Sequence, residues 1–103
     1  MVTALIKDSY IANSTVTGVS LVTNSSSGQV SITMDHSASV GNGADGIRSD
    51  GSKSFAVLTE STVIGNFGVG LNNVNGGRSF SYQNNALTGN VTDANPTNTF
   101  TLK

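Results

Sequence analysis

The chain of 103 residues has no cysteine, no tryptophan and a single proline, Pro96, and only 11% of it is Asp, Glu, Lys or Arg. Without cysteine there are neither disulfide staples nor thiolate metal sites, and the redox compartment is left open. A formal net charge of -1 offers no field to draw in nucleic acid or an anionic membrane surface, so neither is expected as a partner. No apolar run is long enough to span a bilayer, and the start, Met1 to Lys7, lacks the basic region and apolar stretch of an export signal. The expectation is a soluble chain with no signal peptide or transmembrane segment, its compartment undetermined. Helical periodicity is missing as well.

What the chain does have is a twelve-residue phrase, written four times with substitutions. The copies run Asp8 to Val19, His36 to Ile47, Glu60 to Leu71 and Asn84 to Asn95, at offsets of 28, 24 and 24 residues. The second position reads Ser, Ser, Ser, Asn; the fourth Ile, Ser, Val, Leu; the sixth Asn, Gly, Gly, Gly; the seventh Ser, Asn, Asn, Asn. A repeat of about two dozen residues rich in Gly, Asn, Ser and Thr reads as one rung of a solenoid.

Each phrase is preceded by a quartet: Ala4 to Lys7, Ile32 to Asp35, Ala56 to Thr59 and Phe80 to Gln83. The first and third residues of each quartet form the apolar set, the two-residue period of a strand with one buried face. That places Phe80 and Tyr82 inward in the last coil. The fourth phrase position (Ile11, Ser39, Val63, Leu87) and the twelfth (Val19, Ile47, Leu71) are also expected to point inward, with Ser39 and Asn95 as departures. The fold class is therefore all-β: a short parallel β-helix of about four coils, each with three short strands. The chain is one domain, residues 1–103, with coils at approximately 4–29, 30–53, 54–78 and 79–95. Residues 96–103 form a C-terminal cap, with Phe100 and Leu102 packed over the last coil. Stacked at the strand spacing of about 4.8 Å, four coils make a stub about 15–20 Å tall.

The bends between strands follow from residue type. Asn13, Gly41, Gly65 and Gly89 occupy one column, and all belong to the types that accept positive φ, so a left-handed bend is expected there. The next column holds Ser14, Asn42, Asn66 and Asn90. Stacked in parallel register, the amides of Asn42, Asn66 and Asn90 can donate from coil to coil as an asparagine ladder. A second glycine column follows at Gly18, Gly46 and Gly70. The four extra residues of the first coil are best placed in an outward loop at Asn24 to Gly28.

These residues carry a family resemblance. The chain resembles right-handed parallel β-helix repeat proteins of the pectate-lyase-like superfamily, in particular non-catalytic bacterial β-helix repeat regions with Asp-Ser-x-Val-x-Gly-Asn coils. The likeness covers roughly residues 4–103 and includes the ending Gly76-Gly77-Arg78-Ser79-Phe80-Ser81-Tyr82-Gln83-Asn84-Asn85. It implies a right-handed solenoid. Members usually carry more coils and an N-terminal cap, whereas this chain begins within a coil, as a natural short form or as a fragment of a longer protein. Repeat motifs of this kind specify fold better than function.

The open end of a β-helix exposes unpaired strand backbone and the apolar residues beneath it. Met1 to Thr3 are too few to cover it. The simplest cover is a second subunit, with Ala4, Ile6, Ile11 and Val19 near the seam. A lateral face competes for that role, since Tyr10, Ala38, Thr62 and Ala86, and beside them Ala12, Val40, Ile64 and Thr88, are expected to point outward. Tyr10, Val40 and Ile64 are its interface candidates, with Leu5, Val57 and Phe67 nearby. The expected behaviour is a structural or protein-interaction module that forms a homo-oligomer, without cofactor and without metal.

Chemistry is thinly supplied. The only histidine, His36, falls between Asp8 and Glu60 in the first phrase column, where carboxylate neighbours would raise its pKa. This is first of all a solvated charge ladder; as catalytic candidates Asp8, His36 and Glu60 are weak. Lys7 falls beside Asp35 as a surface ion pair of small value. A polysaccharide lyase would need several acidic calcium ligands and a basic proton acceptor along a groove, and the acids do not cluster that way. A glycoside hydrolase needs two carboxylates roughly 5–10 Å apart across a cleft; Asp8 and Glu60 meet the distance, on a convex bend. Gly41 to Gly46 fits the dinucleotide fingerprint but no helix follows, and a calcium site at Asp45 has one carboxylate where six or more oxygens are needed. Carbohydrate binding is the alternative reading, with Tyr10 and Phe67 as outward aromatics out of line with each other.

Overall fold

The structure is a computed structural model that describes residues 1–93 and the backbone of residues 98–100. All of its regular elements are strands, wound as a parallel β-solenoid of about four turns. The first coil contributes β1 (Val2–Lys7), β2 (Tyr10–Ala12) and β3 (Val19–Val22); the second β4 (Val30–Asp35), β5 (Ala38–Val40) and β6 (Ile47–Asp50). The third contributes β7 (Ser54–Thr59), β8 (Thr62–Ile64) and β9 (Leu71–Val74), and β10 (Arg78–Tyr82) and β11 (Ala86–Thr88) follow. β12 (Asn98–Phe100) ends the series. Like strands of successive coils pair in parallel to make three sheets, in the orders β1-β4-β7-β10-β12, β2-β5-β8-β11 and β3-β6-β9.

Stacking in register turns the alternating pattern into apolar columns. Ile6, Met34 and Leu58 stack in the first sheet, Ile11, Ser39, Val63 and Leu87 in the second, and Val19, Ile47 and Leu71 in the third. Met34, Ile47, Leu58, Val63 and Leu71 are all but inaccessible to solvent. Burial of each such side chain stabilises the fold by about 1.5–3 kcal/mol, so the middle coils carry most of the apolar stabilisation. Ser39 interrupts its column without leaving a polar orphan: its hydroxyl donates to the Gly46 carbonyl (2.8 Å) and accepts from the Asn42 amide (3.0 Å). The four extra residues of the first coil form an outward turn in which the Ser27 N–H bonds the Asn24 carbonyl and Lys53 Nζ reaches the carbonyls of Ser25 and Ser27.

The last coil departs from the expected register. Phe80 pairs with Val57 and Ser81 with Leu58, so the inward residues are Ser79 and Ser81, not Phe80 and Tyr82. The cause is the turn before β10, which takes one residue fewer than the turn before β7: Val74 aligns with Asp50, but Arg78 already aligns with Phe55. This shortcut brings Gly77 against the Ser49 carbonyl, into which any Cβ would run. Phe80 is thereby placed on the outer face beside Phe55, with ring centroids 6.3 Å apart and Arg78 4.1 Å above the Phe55 ring. The turn after β10 has one residue more, which restores the 24-residue spacing by Asn85.

Asn98 to Phe100 pair in parallel with Phe80 to Tyr82, continuing the first sheet as its next strand on the last coil. Unpaired edge backbone favours that arrangement. Asn95, Pro96 and Leu102 lie outside the described residues.

Candidate functional site

Two bends carry the side chains that the repeat singles out. The first joins the first sheet to the second. Its outer column holds Asp8, His36 and Glu60, each with left-handed backbone at φ 51, 49 and 46. L-residues pay about 1–2 kcal/mol for that conformation, so other contacts must hold the chain there. They come from the adjacent column, Ser9, Ser37, Ser61 and Asn85. The Ser37 hydroxyl accepts from the Ser9 N–H and donates to the Ile6 carbonyl; the Ser61 hydroxyl accepts from the Ser37 N–H and donates to the Met34 carbonyl. Asn85 completes the series, accepting from the Ser61 N–H (2.7 Å) and donating to the Leu58 carbonyl (2.8 Å). The repeated Ser-Ser-Ser-Asn of the phrase was the signal for this column, and its role shows only once the coils are stacked.

The structure brings His36 together with Glu60 as expected, and adds Asp35. Nε2 of His36 lies 2.5 Å from a Glu60 oxygen and Nδ1 lies 2.6 Å from a carboxylate oxygen of Asp35. Asp35 therefore turns to His36 and not to Lys7, although the two are in register on β4 and β1. The imidazole pKa is raised from its ordinary value of 6.5, first by the hydrogen bond to Asp35 and then by the charge of Glu60; loss of solvation opposes them, and the charges of Asp35 and Asp8 add smaller upward contributions. An open concavity of about 540 Å³ runs along this bend, lined by Asp8, His36 and Glu60, by Ser9 and Ser37, and by Tyr10.

The second bend joins the second sheet to the third and is its opposite in character. Asn13, Gly41, Gly65 and Gly89 all adopt positive φ there. Beside them, Oδ1 of Asn66 accepts from both the N–H and the Nδ2 of Asn42, at 2.9 Å each, and Oδ1 of Asn90 does the same for Asn66 at 2.9 and 2.8 Å. Ser14 sends its N–H to Oδ1 of Asn42. In the last coil Asp93 takes over: its Oδ1 accepts from both the N–H (3.0 Å) and the Nδ2 (2.7 Å) of Asn90. Asn42 and Asn66 are buried. A Cβ at Gly46 would collide with Nδ2 of Asn66, which explains the second glycine column by close approach and not by φ.

Asp45 was not foreseen as a structural residue. It is buried, and its oxygens accept from the Val69 N–H (2.9 Å) and Asn72 Nδ2 (3.0 Å) and face Arg48 at 3.5 Å. Surrounded by donors, it is poorly suited to calcium, and among the described residues no group of three or more His, Cys, Asp or Glu side chains could hold a metal ion. Asn72, outward in the repeat, is thus engaged too.

Of the interface candidates, Ala4 and Tyr10 are exposed and Ile6, Ile11, Val40 and Ile64 half-buried, while Val19 is already buried by its own chain. Leu5 and Phe67 are exposed as well. Among the described residues no helix is long and apolar enough to cross a membrane. Compared with family models, curated proteins and solved structures, the chain matches none.

Proposed function

We propose that this protein is a structural, protein-interaction module whose first coil is covered by a second copy of the same chain. The observation that supports this most directly is the edge of that coil. β1 is paired with β4 alone, and β2 and β3 likewise end their sheets. The apolar columns of the interior reach the surface there, at Ala4, Ile6 and Ile11, with Val2 and Leu5 exposed alongside. An unpaired strand edge over uncovered core is a template for further pairing. Tyr10, Val40 and Ile64 form a lateral alternative on the same side of the chain. The coil-to-coil amide bonds of Asn42, Asn66 and Asn90 act as an asparagine ladder that keeps the stack in register. The repeat phrase supports, in addition, a right-handed solenoid of the pectate-lyase-like type.

Mass in solution tests the reading. Light scattering is expected to give more than one chain per particle over a wide concentration range, and Ile11→Lys is expected to shift the mass toward a single chain. A single-chain mass at every concentration overturns it.

Carbohydrate binding is a second reading, favoured by Tyr10 standing exposed beside the hydroxyls of Ser9 and Ser37 in the open concavity. It predicts saturable signals on a glycan array that are lost in Tyr10→Ala. A polysaccharide lyase or glycoside hydrolase fragment is a third reading with less support, because both ring nitrogens of His36 are engaged by carboxylates.

A further inference from the structure

We propose that His36 is a proton-operated clasp: its imidazolium ties the first bend of the second coil to that of the third, and loss of the proton loosens this bend while leaving the rest of the stack intact. The argument rests on donors and acceptors and does not depend on self-association. A carboxylate only accepts hydrogen bonds, and a neutral imidazole has one N–H. His36 places both nitrogens on carboxylates, Asp35 at 2.6 Å within its own coil and Glu60 at 2.5 Å in the next. Satisfying both requires two ring protons. A neutral ring must give up one contact, and then Asp8, Asp35 and Glu60 face one another across neighbouring coils with their shared cation gone.

The backbone is poised to respond. Asp8, His36 and Glu60 hold left-handed φ without being glycine. The bonds that cross the bend run from the Asp8 N–H to the Asp35 carbonyl at 3.1 Å and from the His36 N–H to the Thr59 carbonyl at 3.3 Å. The other groups bordering the bend do not replace the lost charge. Lys7 and Asp8 come from the end of β1, with Tyr10 on β2; Asp35 ends β4, Glu60 follows β7, and Tyr82 ends β10, followed by the neutral amide of Asn84, which bonds the Glu60 N–H and Thr59. Lys7 is paired in register with Asp35, but among the described residues it makes no ion pair with it.

The direction of the response is fixed. Because folding raises the imidazole pKa above 6.5, the clasp's contribution is fully present below the unfolded value and is lost as pH rises through the folded one. Side chains half exposed to water hold such a contact weakly enough for it to open without unfolding the chain.

The experiment uses the whole chain and reads His36 and the bend amides by NMR between about pH 5.5 and about pH 8.5. The imidazole is expected to titrate above its ordinary value. Hydrogen-exchange protection of the Asp8 and His36 amides, corrected for intrinsic rates and divided by that of Asn42 and Asn66, is expected to fall several-fold across the titration. His36→Asn, a residue type that accepts left-handed φ, is expected to make that ratio independent of pH. Glu60→Gln is expected to lower the His36 titration and to shrink the pH response, and it serves the same purpose if His36→Asn does not fold. A constant ratio in the wild-type chain, or an unchanged pH response in Glu60→Gln, overturns the clasp.

Discussion

Two of the three bends of each coil solve one problem by opposite means. Both must turn the chain sharply and both must satisfy the backbone groups that the turn frees. The bend between the second and third sheets uses glycine at the left-handed position and buried neutral amides beside it. The bend between the first and second sheets uses Asp8, His36 and Glu60 at left-handed positions, half in water, and hydroxyls from Ser37 and Ser61 beneath them. The first arrangement is cheap in backbone strain, and the bonds among Asn42, Asn66 and Asn90 carry no titrating proton. The second stores strain and charge where solvent can reach them. Rigidity is thus concentrated at one corner of the coil and adjustability at another.

Substitutions can break that contrast. The largest effect is expected for Asn66→Ala, which strands the Asn42 N–H and the Ser39 carbonyl in the interior and severs the link to Asn90. Leaving buried groups unsatisfied costs about 1–3 kcal/mol each. Urea denaturation is expected to show a loss of about 2–4 kcal/mol, equal at acid and alkaline pH, against almost none for the exposed Gln83→Ala. A pH-dependent loss, or one no larger than the control, would undo the assignment of rigidity to this bend.

Gly46→Ala comes next, at about 1–3 kcal/mol, since the new methyl meets Asn66 Nδ2, Val63 and the Gly70 carbonyl. Asp93→Ala is smaller, about 1 kcal/mol, and local: it frees the Asn90 N–H and removes one acceptor of its amide, so hydrogen exchange is expected to quicken in the last coil and not in the second. Uniform loss of protection through all coils would contradict a role confined to closing the amide column. The smallest change is expected at the exposed bend. Glu60→Asn relieves left-handed strain as it removes a partner of His36, so its melting temperature is expected to exceed the wild type at about pH 8.5 and to lose that margin at about pH 5.5. Equal differences at both pH values would remove the titratable character of that corner.

Much of this was legible in the residues. The recurring phrase and the quartets before it placed Met34, Ile47, Leu58, Val63 and Leu71 in the interior, assigned left-handed backbone to Gly41, Gly65 and Gly89, and put an outward loop at Asn24 to Gly28. Periodicity conveys such features because each depends on a residue's own coil. The second phrase column was visible as Ser-Ser-Ser-Asn, but its function was not, since a serine in a turn has a local explanation of its own.

What the sequence determined by itself is the period, the three-sided coil and the residues that face in or bend. The tertiary structure alone decided which further contacts complete that frame. A turn one residue shorter, allowed by Gly77, exchanged Phe80 for Ser81 on the inside of the last coil. Asp35 chose His36 over Lys7, Asp45 gathered donors from Val69 and Asn72, and Asp93 accepted the N–H and Nδ2 of Asn90. The physical reason is clearest at Phe80 and Asp45, whose contacts cross between coils. A pattern along the chain fixes which way a side chain points, but its partner is set by the register of the coils around it, and one residue more or less in a turn is enough to change the neighbour it meets.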